Sequence, residues 1–427
     1  MRRTLNQAIL DELHLSKRED PPVAWQSFSP RQWIRVLRWL DVSGLAIYFL
    51  QRMKNANRFH ALSASVARDL ERRNADNQIR TEAILQEFRT LTSDFKQAQV
   101  KYAVLKGVSL VPDYCPEMTL RTQYDHDFLV APESIDTARR VLESAGFSAR
   151  VDGSADAPLI YRRVEPQIRF LRKSQALYSP RLSRSIDIHR TLWEDGEERI
   201  HLGFSDDFVA RSQIRHWEGI RFTALSDEDC LIFQILHAFK HILRNWCRLA
   251  VFLEIACFLN RRSSDSAFWR GFGARIENVR WAREATYVVF TLADQLFGGP
   301  IPAELRDALQ RPLTPALHLW IERYGKQSAV SNFNGDKSSL FLHREFIDDS
   351  SEWAAIRRRR LFPLQRPHRP PAVVFQRGFS TVGRIWMEKA HAFRRLKFHA
   401  SAGLRYLIEY PRWTVLRRLR LADSGNL

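Results

Sequence analysis

The sequence predicts an α+β fold: a small mixed sheet with helical regions before and after it in the chain. Three observations predict it. Residues 31–97 contain no proline and carry apolar side chains at helical spacing. At residue 98 the text changes to short β-prone runs interleaved with a short helical stretch. From "LSDEDCLIFQILHAFKHIL" (225–243) the helical pattern returns and continues to about 330.

Each element follows from its own residues. Residues 1–97 are expected to form a helical region, with "RQWIRVLRWLDVSGLAIYFLQRM" and "SASVARDLERRNADNQIRTEAILQEFRTLTSDFKQA" as long packed helices with a polar outer face. The α/β core spans 98–222. Its strands are "VKYAVL", "HDFLV", "QIRFLR" (167–172) and "SIDIH" (185–189), and a helix over 132–146 stops at Gly146. A helical domain covers 223–330, opened by Ser226 as its cap. Residues 331–372, with "SNFNGDKSS" and "FPLQRPHRPP", read as a loop-rich linker. Residues 373–427 form a basic amphipathic segment, and no internal repeat occurs.

Composition excludes several classes. The 427 residues are 45% hydrophobic and 27% charged, which is ordinary for a globular chain. Cys115, Cys230, Cys247 and Cys257 show no CxxC pair and read as free thiols of a reducing cytoplasm. "MRRTLNQAILDELHLSKRED" lacks the apolar stretch of a signal peptide. The longest apolar run, "LAVFLEIACFL", is too short to cross a bilayer and contains Glu254. A cytoplasmic location follows, with peripheral attachment to a membrane left open. Of the net charge of +18, Arg357 to Arg420 supplies +15, with fifteen Arg, two Lys and two Glu. This segment interleaves arginine with Trp386, Phe393, Tyr406 and Trp413. It reads as an element for an anionic membrane surface or nucleic acid, or as a basic face packed on its own domain.

The chemistry is expected in "LKGVSLVPDYCPEMTLRTQYDHDFLV" (105–130). Strand side chains alternate, so Asp125 and Asp127 share one face while His126 and Phe128 share the other. Two adjacent carboxylates repel unless a cation lies between them, and a hard divalent ion such as Mg²⁺ also binds phosphates. Asp187 on "SIDIH" offers a third carboxylate, with His189 on its face. Three such acids could hold two ions for an in-line phosphoryl displacement, with Asp187 helping to deprotonate the attacking hydroxyl. Lys106 and Gly107 end a strand where a helix is expected to begin, so Lys106, Gly107 and Ser109 are candidates for a triphosphate wall. Arg121 either meets phosphate or pairs with an acidic neighbour, and His189 either orients phosphate or satisfies a core hydrogen bond. His237 and His241 lie four apart, but position 238 is Ala, so the HExxH base is absent. They read as cleft-lining or packing residues.

The ordered text "YAVLKGVSL…LRTQYDHDFLVAPESIDTARRVLESAGF…IDIHRTLW…LSDEDCLIFQILHAFKH" resembles the uncharacterised bacterial nucleotidyltransferases of the DNA polymerase β-like superfamily. The likeness covers roughly residues 30 to 260. It implies a nucleotidyltransferase core. It also implies transfer of a nucleoside monophosphate from an NTP, ATP first, dependent on Mg²⁺ or Mn²⁺ bound by Asp125, Asp127 and Asp187. The acceptor hydroxyl stays open among a protein side chain, a small alcohol and an RNA end. His126 departs from the family's usual aliphatic residue, and Lys106-Gly107 stands where the superfamily has Gly-Ser, as is typical of this family. The competing reading is an inactive scaffold that keeps the fold and docks through its basic tail.

Overall fold

The computed structural model describes residues 4–16, 23–150, 158–163, 177–182, 184–196, 198–204, 207–310, 313–331, 337–362 and 381–424. The chain opens with four helices: α1 (Leu5–Leu13), α2 (Pro30–Ser43), α3 (Ala46–Asn55) and α4 (Ala64–Gln97). Ser29 and Gln32 cap α2 reciprocally, with Pro30 at its first position. At 34 residues α4 is the beam of the molecule, about 51 Å long. Its polar side is not all solvated. Arg73, Asn77 and Arg80, at intervals of four and three, are buried, and each is paired. Arg73 grips Asp41 through two hydrogen bonds of 2.6 and 3.0 Å, and the Tyr178 hydroxyl donates to the same carboxylate.

Seven strands follow: β1 (Tyr102–Val104), β2 (Asp125–Val130), β3 (Phe147–Arg150), β4 (Leu159–Arg163), β5 (Ser185–His189), β6 (Gln213–Trp217) and β7 (Ile220–Ala224). Helix α5 (Ile135–Ser144) lies between β2 and β3, and Gly146 (φ 82°) supplies the left-handed residue that ends this unit. The strands form one mixed sheet in the order β3-β4-β5-β2-β1-β7-β6. The expected strand at 167–172 lies outside the described residues. Four strands that the sequence did not announce, β3, β4, β6 and β7, complete the sheet. Of these, β6 and β7 form a hairpin whose turn residues Glu218 and Gly219 both have positive φ, the geometry of a two-residue hairpin turn.

The sheet separates two apolar cores. Phe128 and Val130 of β2, with Ile186 and Ile188 of β5, pack under Phe88, Leu91 and Phe95 of α4. Leu129 faces the other way, into a larger core shared with the helices that follow. These are α6 (Asp227–Leu243), α7 (Leu249–Arg261), α8 (Ser266–Glu277), α9 (Ala282–Phe297), α10 (Ala303–Gln310), α11 (Pro315–Trp320) and α12 (Lys326–Val330). The Ser226 side chain caps α6 by accepting from the Asp229 amide at 3.3 Å, as expected. The expected loop-rich stretch 331–372 carries two helices, α13 (Ser339–Arg344) and α14 (Ser350–Leu361), because Leu340, Phe341 and Leu342 are drawn into the larger core.

Of the basic segment 373–427, residues 373–380 and 425–427 lie outside the described residues, and the rest is one helix, α15 (Thr381–Ser424). Tyr406 and Trp413 are buried against Phe341, with ring centroids 4.9 and 5.1 Å away, while Trp386 and Phe393 are exposed. Removing the tail would therefore strip Phe341 of its cover. Among the described residues no helix is long and apolar enough to cross a membrane.

Candidate metal centre and active site

The two central strands set the site. In the parallel pair β2–β5, Asp127 lies directly opposite Asp187, and Asp125 opposite Ser185. The three carboxylates share the face on which Leu129 enters the larger core. One oxygen from each comes within 4.8 Å of the others, and among the described residues this is the only such group of potential metal ligands. Asp127 Oδ2 and Asp187 Oδ1 are buried with no hydrogen-bond partner. Two unscreened carboxylates at that separation repel by about 3 kcal/mol at an effective dielectric of 20. Orphaned oxygens and mutual repulsion are what a hard divalent cation would relieve, so the residues fit such an ion.

Cations of the chain already lean on the middle acid. Lys106 Nζ donates to Asp127 Oδ1 at 3.0 Å, and His189 Nε2 meets the same oxygen at 3.1 Å. His189 Nδ1 faces Glu194 Oε1 at 3.3 Å, and Lys240 Nζ donates to Glu194 Oε2 at 2.8 Å. Charge therefore alternates along Lys106, Asp127, His189, Glu194 and Lys240. Burial alone would raise the Asp127 carboxyl, but Lys106 and His189 outweigh it and hold Asp127 well below the usual carboxylate range. Burial and then the Asp127 charge raise Asp125. The same two causes, with Asp125 added, push Asp187 up to about 7. Burial would lower His189, yet its bonds to Asp127 and Glu194 carry it to about 9, an imidazolium with both nitrogens donating.

The turn after β1 is built on Gly107. Its φ of +70° suits glycine, and a Cβ there would stand 2.9 Å from Gln123 Oε1. The Gln123 amide in turn donates to the Asp125 carbonyl at 2.7 Å. Gly107→Ala should strain the turn and push Gln123 off that carbonyl. A loss of about 1–3 kcal/mol in chemical denaturation, with weakened Mn²⁺ affinity, is the expected result. The helix expected here is a 3₁₀ turn of four residues, Gly107–Leu110, too short for an anion site at a helix terminus. Ser109 is 2% exposed and its hydroxyl donates inward, to the Lys106 carbonyl. Arg121 donates to Glu254 Oε1 at 2.8 Å, an oxygen also held by the Tyr48 hydroxyl. It has taken the acidic neighbour.

His126 lies on the far face, stacked over Phe88 with ring centroids 6.1 Å apart. Burial lowers its pKa to about 4 despite Glu87 at 3.7 Å, so a neutral ring serves there as an aromatic spacer. His237 and His241 are neighbours, their centroids 4.3 Å apart, and Phe233 packs between His237 and His189. Burial, then the Lys106 charge, holds both below the ordinary histidine value.

Several supports were not visible in the sequence. Arg80 donates to the Gln123 carbonyl from Nε and Nη2 and to Ser179 and Leu182 from Nη1, tying the chain before β2 to the chain before β5. Asn77 holds the Thr119 and Arg121 carbonyls. Glu194 sits in a loop with no periodic signal, and no motif marks Lys240 on α6.

A family model described as "uncharacterised nucleotidyltransferase" matches residues 29–298, more than half of the chain. The chain belongs to that family. No curated protein matches it. The matched span of this nucleotidyltransferase family runs from α2 through α9 and contains the whole sheet, the three aspartates and the Lys106–Lys240 charge chain. The α15 helix lies beyond it.

Asp187 would make ion binding by the three carboxylates pH-dependent. Below about 7 its carboxyl carries a proton that an incoming cation must displace. Mn²⁺ affinity should therefore rise roughly tenfold per pH unit up to about pH 7 and then level off. Asp187→Asn should flatten that profile, as titration calorimetry at several pH values would read.

Proposed function

We propose that this chain transfers a nucleoside monophosphate from an NTP, ATP first among the candidates, to a hydroxyl acceptor with release of pyrophosphate. The observation that supports it most is the convergence of Asp125, Asp127 and Asp187 on one face of adjacent strands in a chain of this family. Those three residues would hold Mg²⁺ or Mn²⁺, and the bound ion would supply charge neutralisation at the phosphates. Asp187, opposite Asp127 in register, is placed to take the proton of the acceptor hydroxyl as its oxygen attacks the α-phosphorus and pyrophosphate leaves. Lys106 and the imidazolium of His189 place positive charge beside the carboxylates, where the triphosphate must lie. Gly107 keeps the backbone low at that wall. Ser109 and Arg121, bonded inward, serve by holding the turns that present Lys106 and β2.

The acceptor is a protein side chain, a small alcohol or an RNA end. Incubating the protein with labelled NTPs, Mg²⁺ or Mn²⁺ and a host lysate tests the proposal. Label entering a product, in a reaction that Asp127→Asn prevents, supports it. Failure of every NTP to bind or to donate label would leave the scaffold reading in its place.

A further inference from the structure

Helix α15 has two apolar faces, and among the described residues the body of the protein covers only one. Ala402, Tyr406 and Trp413, at intervals of four and seven, turn inward and are at most 4% exposed. Arg417 pairs with Glu345 and Arg420 with Glu322, each at 2.9 Å, and Glu409 is held by Arg323 and Tyr324. The helix is thus clamped in one rotational setting.

Ile408 lies about 200° around the axis from Tyr406, on the opposite side. That outward side carries Phe393, Leu404, Leu407, Ile408, Val415 and Leu419, each 57–68% exposed. The stripe runs about 39 Å along the helix. Exposed Arg394, Arg405, Arg412 and Arg418 flank it. Between Lys389 and Leu421 there are nine basic residues and one acid, Glu409, which faces inward.

We propose that the outward face of α15 docks the protein on the surface of an anionic lipid bilayer, with the aliphatic stripe at the headgroup–acyl boundary and the flanking arginines on lipid phosphates. The charge decides the occupant. A second copy of the helix would bring Arg394, Arg405, Arg412 and Arg418 against the same four arginines, with no outward acid between Lys389 and Leu421 to answer them. A nucleic acid would satisfy the arginines but leave a long aliphatic stripe against phosphate and water. An anionic bilayer accepts both components. Trp386, 72% exposed near the start of the helix, suits the interface as well. Because the inward face is already anchored, docking needs no refolding. This inference is independent of the nucleotidyl-transfer reading.

Co-sedimentation of the full chain with vesicles tests it. The chain should bind phosphatidylcholine vesicles containing about one quarter phosphatidylglycerol, weakly or not at all phosphatidylcholine alone, and lose about tenfold or more in affinity at high salt. Arg405→Gln/Arg412→Gln/Arg418→Gln should cost about 100-fold. Leu404→Ser/Ile408→Ser/Val415→Ser should cost about tenfold or more with the charge unchanged. Thermal melts establish that both variants are folded. Should the apolar triple fail to fold, the single change Ile408→Glu, at a residue 68% exposed, replaces it. Asp127→Asn should bind vesicles as the parent does, whatever the nucleotide assay gives. The proposal is overturned by equal binding to both vesicle types, by binding to neither, or by an apolar variant that binds like the parent. It is also overturned by a dimer that Ile408→Glu dissociates, or by tight binding to poly(U) in place of vesicles that the apolar variant retains.

Discussion

Asp127→Asn should abolish divalent-cation binding and nucleotide transfer together, lowering turnover by at least about 1,000-fold. Asp127 is the middle carboxylate, opposite Asp187 in register and two residues from Asp125. It is also the counter-charge of Lys106 and His189. An amide there leaves an ammonium and an imidazolium facing each other without an anion between them, so the variant should also lose about 1–3 kcal/mol of stability. Asp125→Asn separates the two effects. Burial and the Asp127 charge raise the Asp125 carboxyl, so its ionised form opposes folding at neutral pH. Neutralising it should abolish transfer and yet raise the melting temperature of the metal-free protein. Manganese calorimetry, labelled-NTP turnover and thermal melts of the two variants together read the outcome; transfer retained by Asp127→Asn would sink the three-carboxylate site.

The second large effect is structural. Arg80 is fully buried and serves three carbonyls, those of Gln123, Ser179 and Leu182. Arg80→Met keeps much of the volume but leaves the carbonyls unpaired, an expected loss of about 4 kcal/mol in urea denaturation. Lys at this position cannot reproduce the planar fork and should recover only part of it. Since these carbonyls lie just before β2 and β5, Mn²⁺ affinity should fall even where the variant is folded. Full affinity in a destabilised Arg80→Met would mean that the strands hold their register without the clamp.

The site was legible where chemistry coincided with strand periodicity. The spacing of Asp125 and Asp127 placed them on one face, and Asp187 arrived on a run whose β character was plain from Ile186 and Ile188. The sequence did not show what holds those strands. Arg73, Asn77 and Arg80 occupy polar positions at helical spacing, which is the pattern of a solvated face; only the arrival of carbonyls from distant segments makes it a buried one. The sheet's remaining strands were hidden for a related reason. In β6, "QIRHW", the apolar side chains do not keep to one face, and Ile214 stays exposed. The basic tail was legible as amphipathic, but the four aromatics singled out in it divide, Tyr406 and Trp413 inward and Trp386 and Phe393 outward. No composition argument separates them without knowing where Phe341 lies.

Helix α4 has a consequence for dissecting the chain. Val66 and Leu70 near its start belong to one core, and Leu85, Phe88, Leu91 and Phe95 near its end belong to the other. A fragment beginning at residue 98 would keep every aspartate of the site but lay bare the underside of Phe128 and lose the guanidinium that joins the approaches to β2 and β5. Such a minimal fragment should precipitate or remain unfolded, whereas one beginning before α2 should not. The smallest autonomous piece of this protein is therefore set by the reach of a single helix and not by the span of its sheet.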